Sequence, residues 1–150
     1  MYRKSKQIIP NENKNVKTSM IWGSLWDQTL NWLVISGNKE YSDFEDSTSW
    51  GNYKNSTVSG HGSKKPTGYS DVWKANNIYD MAGNVEEWNL EAGAINYRVN
   101  RGGVYDGLGR AFTPGNRMDY YYPSKSTKYT RHPCHTLHQI TSPQDFSKQS

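Results

Sequence analysis

One cysteine, Cys134, occurs among 150 residues. An internal disulfide framework is therefore excluded, and a reducing compartment is the simplest expectation. No apolar run approaches the ~18 residues of a membrane-spanning helix, so no membrane insertion is expected. Aliphatic residues are scarce. Hydrophobic types reach only 33 % even with 11 Tyr counted among them, and there are just three Phe. A core built from this chain must be small and must draw on its six Trp, whose side chains each bury a large area. Residues 1–17 are rich in Lys and Asn and carry no apolar stretch beyond Ile8-Ile9. That composition predicts a disordered lead-in rather than a secretory leader. The net charge is +4 with a pI near 9.1, but the basic residues are dispersed. Neither a Lys/Arg block nor a base-stacking motif is present, which favours a solvated surface over a nucleic-acid partner.

Against this sparse background, one stretch has clear helical periodicity. Trp22, Leu25, Trp26, Thr29, Leu30 and Leu33 fall at i, i+3, i+4, i+7, i+8 and i+11. The spacing predicts one main helix near residues 20–35, with Thr18-Ser19 offering a cap and Gly37 ending it. A tryptophan stripe at this spacing is a core feature rather than a sugar-stacking platform. Residues 39–70, dense in Gly, Ser, Asn and Lys, read as an irregular surface excursion pinned by Phe44, Trp50 and Tyr53. His61, between two glycines, reads as exposed. Ile95 to Val99 alternates and predicts a strand that runs into Arg101-Gly102-Gly103, with a second strand expected around Ala111. Residues 105–129 are dominated by Tyr, Asp, Asn, Ser and Arg. Such a mixture resembles an antibody paratope, the alternative being an ordinary polar loop.

The most informative stretch is residues 77–88, NIYDMAGNVEEW. Ile78, Met81, Val85 and Trp88 surround Ala82-Gly83-Asn84, as in a tight turn anchored in a core. Asp80 and Glu87 bracket it. Two carboxylates around inward-facing carbonyls offer an all-oxygen environment for Ca²⁺, whereas the plainer reading is a capping Asp80 and a solvated Glu87. Together with Arg101-Gly102-Gly103, this stretch resembles the signature of the formylglycine-generating enzymes, the sulfatase-modifying-factor domain. The resemblance covers residues 20–128 and is strongest over 77–105. It implies an α+β, C-type-lectin-like fold, irregular and loop-rich, with a small antiparallel sheet. It also implies a structural Ca²⁺ held by Asp80, the carbonyls of Gly83 and Val85, and Glu87, although many relatives keep the turn for packing alone.

The same resemblance argues against catalysis. The two copper-binding cysteines of those enzymes fall on Gly109 and Pro114, and the histidine motif of related iron enzymes is missing, so neither copper nor iron is expected. His132, Cys134, His135 and His138 cluster in residues 131–150, but their spacing is not that of a zinc finger. This tail departs from the family pattern and reads as atypical, as a shifted reading frame would make it; residues 18–130 form the domain. The reading that results is a non-catalytic binding protein. It resembles the variable proteins of bacterial and phage diversity-generating retroelements, in which adenine mutagenesis alters surface residues. Candidate ligand contacts are Tyr105, Asp106, Arg110, Phe112, Asn116, Asp119, Tyr120, Tyr121, Tyr122 and Tyr129, facing a protein or cell-surface ligand. The alternatives are a metal-dependent oxidase of the same superfamily and a degenerate gene fragment.

Overall fold

The computed structural model describes residues 18–95 and 97–121. These form a loop-rich α+β unit with two helices and two small antiparallel sheets. Helix α1 spans Gly23–Ile35 and buries Trp26, Thr29, Leu30 and Leu33. These residues lie at i, i+3, i+4 and i+7, the inner half of the predicted stripe. The outer half is not in the core: Trp22 is 60 % exposed, and Leu25 also faces solvent. The helix also starts later than Met20, after an extended Trp22 whose side chain makes no cap, and Thr18 does not cap it either. The cause is tertiary. Met20 and Ile21 are buried, and the Ile21 carbonyl accepts the Leu90 N–H at 2.9 Å, which commits this segment to strand-like pairing. At the far end Gly37 has φ +71, with Gly37 N–H donating to the Val34 carbonyl and Asn38 N–H to that of Leu33. This is a Schellman close, and it places the stop where a left-handed residue is needed.

Residues 39–70 differ from the expected surface excursion. Helix α2, Tyr41–Glu45, is a single turn set by a capping box in which the Glu40 N–H donates to Asp43 Oδ2 at 2.8 Å. Beyond it Ser47, Trp50, Gly51, Asn52 and Tyr53 are all buried. Phe44 meets Trp50 edge-on with ring centroids 6.0 Å apart, so the three expected aromatic pins do hold the segment, but as part of the core. Gly51 is required there, because a Cβ would run into the Tyr53 ring and Ala82.

A 3-10 turn at Asp71–Trp73 leads into β1 (Lys74–Ala75) and β2 (Ile78–Tyr79). The connecting Asn76 and Asn77 both have positive φ, 46° and 63°, as a two-residue hairpin of matching twist requires. The second sheet has the order β3-β4-β5, from Glu87–Ala92, Tyr97–Arg101 and Met118–Tyr121. Its register sets Glu87 opposite Arg101, Trp88 opposite Asn100 and Asn100 opposite Met118. The strand expected around Ala111 is absent; that residue lies in a turn, and the pairing strand begins at Met118. Gly107, Gly109, Pro114 and Gly115 explain this shift, since such a run favours turns over a ladder. The main apolar cluster joins Ile21, Trp26, Leu30, Leu33, Trp50, Tyr53, Ala75, Met81 and Ala82. Trp88 is buried but outside it, so Trp22, Trp26 and Trp88 do not form one aromatic centre.

Candidate functional site

The signature turn sits where three parts of the chain meet. Asp80, Gly83 and Asn84 all adopt positive φ, which lets successive main-chain groups point in different directions. Asn52 N–H donates to the Ala82 carbonyl and Asn84 N–H to the Asn52 carbonyl at 2.8 Å. Gly83 N–H donates to the Gly102 carbonyl at 2.5 Å, and Tyr105 N–H to that of Asn84 at 3.0 Å. Thus the turn joins residues 52 and 102–105 through main-chain bonds. Two buried amides extend this junction. Asn52 Nδ2 donates to Asn84 Oδ1 at 3.1 Å and to the Ser63 carbonyl at 2.8 Å. Asn84 holds Lys65 at both main-chain groups, accepting its N–H at 2.9 Å and donating to its carbonyl at 3.0 Å.

Asp80 is buried beneath this network. Its carboxylate accepts from Asn84 Nδ2 at 3.2 Å and from the Thr67 hydroxyl, and burial pushes its pKa above the usual carboxylate range. Those partners are neutral, and among the described residues no Lys, Arg or His forms an ion pair with it. A desolvated carboxylate with only neutral donors is one that a divalent cation would stabilise. Glu87, the second expected ligand, is half-buried at the start of β3 and already has an interaction partner. Among the described residues no three His, Cys, Asp or Glu side chains converge as a metal cluster. Any Ca²⁺ at the turn would rely on the Gly83 and Val85 carbonyls to complete its coordination, as the expected ligand set does.

A second constellation was not foreseen. Arg101, whose side chain is fully buried, donates through Nη1 to the carbonyls of Gly115 at 2.6 Å and Asn116 at 3.3 Å. Its Nη2 pairs with Asp27 of α1, and Arg117 bridges Asp27 and Glu91, with 2.9 Å between Arg117 Nε and Glu91 Oε1. Burial lowers the Arg101 pKa, opposed by the Asp27 carboxylate. The only sequence cue was its place before two glycines.

Residues 105–116 are held through many of their main-chain groups, with the Phe112 ring also packed against the core. Tyr53 OH donates to the Phe112 carbonyl at 2.9 Å, and Trp26 Nε1 to that of Pro114 at 2.9 Å. Lys54 N–H donates to the Gly107 carbonyl at 2.9 Å and Ser47 N–H to the Gly109 carbonyl at 3.3 Å, while Gly109 N–H donates to Asn55 Oδ1 at 3.0 Å. A Cβ at Gly103 would strike the Phe112 carbonyl, at Gly107 the Phe112 ring, and at Gly109 the main chain of Thr48. Gly109 and Pro114, where the resemblance would place copper cysteines, are both buried in this packing.

The predicted contact residues separate accordingly. Asp106 and Arg110 are exposed, as is Asp119 on β5. Tyr105 is half-buried. Phe112 is half-buried too, but it packs against the core rather than projecting. Asn116 is exposed, yet its amide is engaged by the Ala111 carbonyl at 2.5 Å and by Thr113 at 3.3 Å. Tyr120 and Tyr121 pair in register with Arg98 and Tyr97. Tyr122, Tyr129 and the histidine and cysteine cluster of the tail lie outside the described residues. His61 is exposed, with Nδ1 3.1 Å from the Tyr53 carbonyl.

No protein-family model, no curated protein and no solved structure matches the chain.

Proposed function

We propose that this chain is a non-catalytic binding protein with a formylglycine-generating-enzyme-like, C-type-lectin-like fold, and that it presents residues 105–121 to a protein or cell-surface ligand. One observation carries the reading. The scaffold side chains Trp26, Tyr53 and Arg101 grip carbonyl oxygens of this loop, not its side chains. Conformation is then largely independent of which residues occupy Asp106, Leu108 and Arg110, all exposed. A loop ordered in this way recognises a ligand through its variable side chains while keeping the low ordering cost of a rigid binder.

Simultaneous replacement of Asp106, Leu108 and Arg110 by Ser is the direct test. The expected change is within about 0.5 kcal/mol per site, as for other surface positions, measured by urea denaturation. Loss of the cooperative transition would sink the display reading. A reverse-transcriptase gene and a template copy of the 105–129 coding region in the neighbouring DNA would be the independent genetic counterpart.

The Ca²⁺ site belongs to the same proposal, supported by the burial and neutral partners of Asp80. Added Ca²⁺ is expected to raise the melting temperature by mass action, and Glu87→Gln to abolish the rise. Asp80→Asn separates the two roles of that residue. Its raised pKa means the ionised form is disfavoured in the fold, so without a cation the stability contribution falls as pH rises above the normal carboxylate pKa. The amide is therefore expected to melt no lower than the parent in chelator at neutral pH, yet to gain nothing from Ca²⁺. Superimposable parent melts in Ca²⁺ and in chelator would leave the turn with a packing role alone.

A further inference from the structure

Two buried asparagines are spent on ordering an exposed loop. Asn52 takes the Gly62 N–H at 3.0 Å and gives a hydrogen bond to the Ser63 carbonyl, and Asn84 takes both main-chain groups of Lys65. Nothing in that loop adds to the apolar cluster, so the order serves the surface it creates. On that surface Lys65 Nζ sits 4.8 Å from the ring centroid of Tyr69. Tyr69, about half exposed, is itself stacked on the buried Trp73 at 5.5 Å and 24°. Gly60 lies against the Tyr69 ring and Gly68 against that of Tyr79, and a side chain at Gly60 would crowd the first of these rings. Lys74 Nζ lies 5.8 Å from the Tyr79 centroid. From residue 54 to 79 the chain carries Lys54, Lys64, Lys65 and Lys74 against one acid, Asp71.

We propose that this surface, residues 54–79, binds an acidic polysaccharide, with Lys65 pairing its carboxylate or sulfate groups and the Tyr69 ring holding the Lys65 ammonium in place. The charge is complementary to a polyanion, and the lysines stand at fixed places rather than on a loose tail. A carbohydrate fits better than a nucleic acid for two reasons. Trp73 and the Lys65 ammonium already cover the Tyr69 ring, which leaves it no free face on which a base could stack. The segment also has no α-helix and no arginine to read a duplex groove. Lys54 and Asn55 adjoin the loop at 105–121, whereas Lys65 and Tyr69 belong to the stretch held by Asn52 and Asn84, so variants at those two positions test this proposal apart from the other.

The test uses the full chain and fluorescein-labelled heparin in anisotropy titrations at constant ionic strength. Lys65→Glu and Tyr69→Ala are each expected to weaken binding by about tenfold, while Arg98→Glu, the same charge change on β4, should alter it by less than about twofold. Melting curves confirm that each variant is folded; if Tyr69→Ala is not, Tyr69→Leu, which keeps a cover over Trp73, takes its place. Equal losses for Lys65→Glu and Arg98→Glu would mean diffuse attraction only and would overturn the proposal. So would parent-like binding by the Tyr69 variant, absence of parent binding, or tighter binding to single-stranded DNA of matched charge.

Discussion

Trp26→Ala is expected to lose about 3–5 kcal/mol of stability, the range for truncating a buried large aromatic. For a domain of ordinary stability that is enough to leave little folded protein at room temperature. Trp26 is 1 % exposed, lies in the main apolar cluster and donates its indole N–H to the Pro114 carbonyl. The substitution therefore opens a cavity and also strands an acceptor in the loop. Trp26→Phe isolates the second effect, because it keeps most of the apolar volume and removes the donor. It should be milder, and its loss should appear as increased hydrogen exchange in residues 107–116. If Trp26→Ala cost under about 1 kcal/mol, the centre of the fold would lie elsewhere.

The second large effect is expected at Arg101. Arg101→Met preserves much of the side-chain bulk but leaves the Gly115 and Asn116 carbonyls without their donor and Glu91 with Arg117 as its remaining cation. Removing one partner from a buried charged network costs several kcal/mol, and about 3 kcal/mol is expected here because Asp27 is partly solvated and retains Arg117. Chemical denaturation of the variant measures it. Asp27→Asn, by contrast, should be clearly milder, since that carboxylate can hydrate when unpaired. Equal losses for the two variants would mean that the exposed ion pairs, rather than the loop carbonyls, dominate.

The main helix and the strand Tyr97–Arg101 were legible from periodicity, and the errors around the helix share one cause. Trp26, Leu30 and Leu33 face the core as their spacing demands, but spacing alone could not show that Ile21 would leave the helix to pair with Leu90. Trp22 and Leu25 were then assigned inward and in fact face out. The segment from Ser47 to Tyr53 was misread because its burial comes from two aromatics, a glycine and an asparagine without any repeat. Asn52 looked like loop composition, yet it is buried and bonded on three sides. Of the candidate contacts, the exposed Asp106, Arg110 and Asp119 were visible from polarity, whereas the inward packing of Phe112 was not. Arg101 was the largest omission. A buried arginine is recognised by what it touches, and its carbonyl partners lie 14 and 15 residues away in a loop.

The closed positions in that loop have a consequence at the level of codons. Gly103, Gly107 and Gly109 cannot accept a Cβ without striking Phe112 or Thr48. Every glycine codon begins GG and every proline codon CC, so the two bases that specify these residues and Pro114 contain no adenine. The codons of Asp106, Asn116 and Asp119 all carry adenine at their second base. Under the adenine-directed mutagenesis of the proposed relatives, the genetic code would itself spare these glycines and the proline while the neighbouring exposed positions diversified.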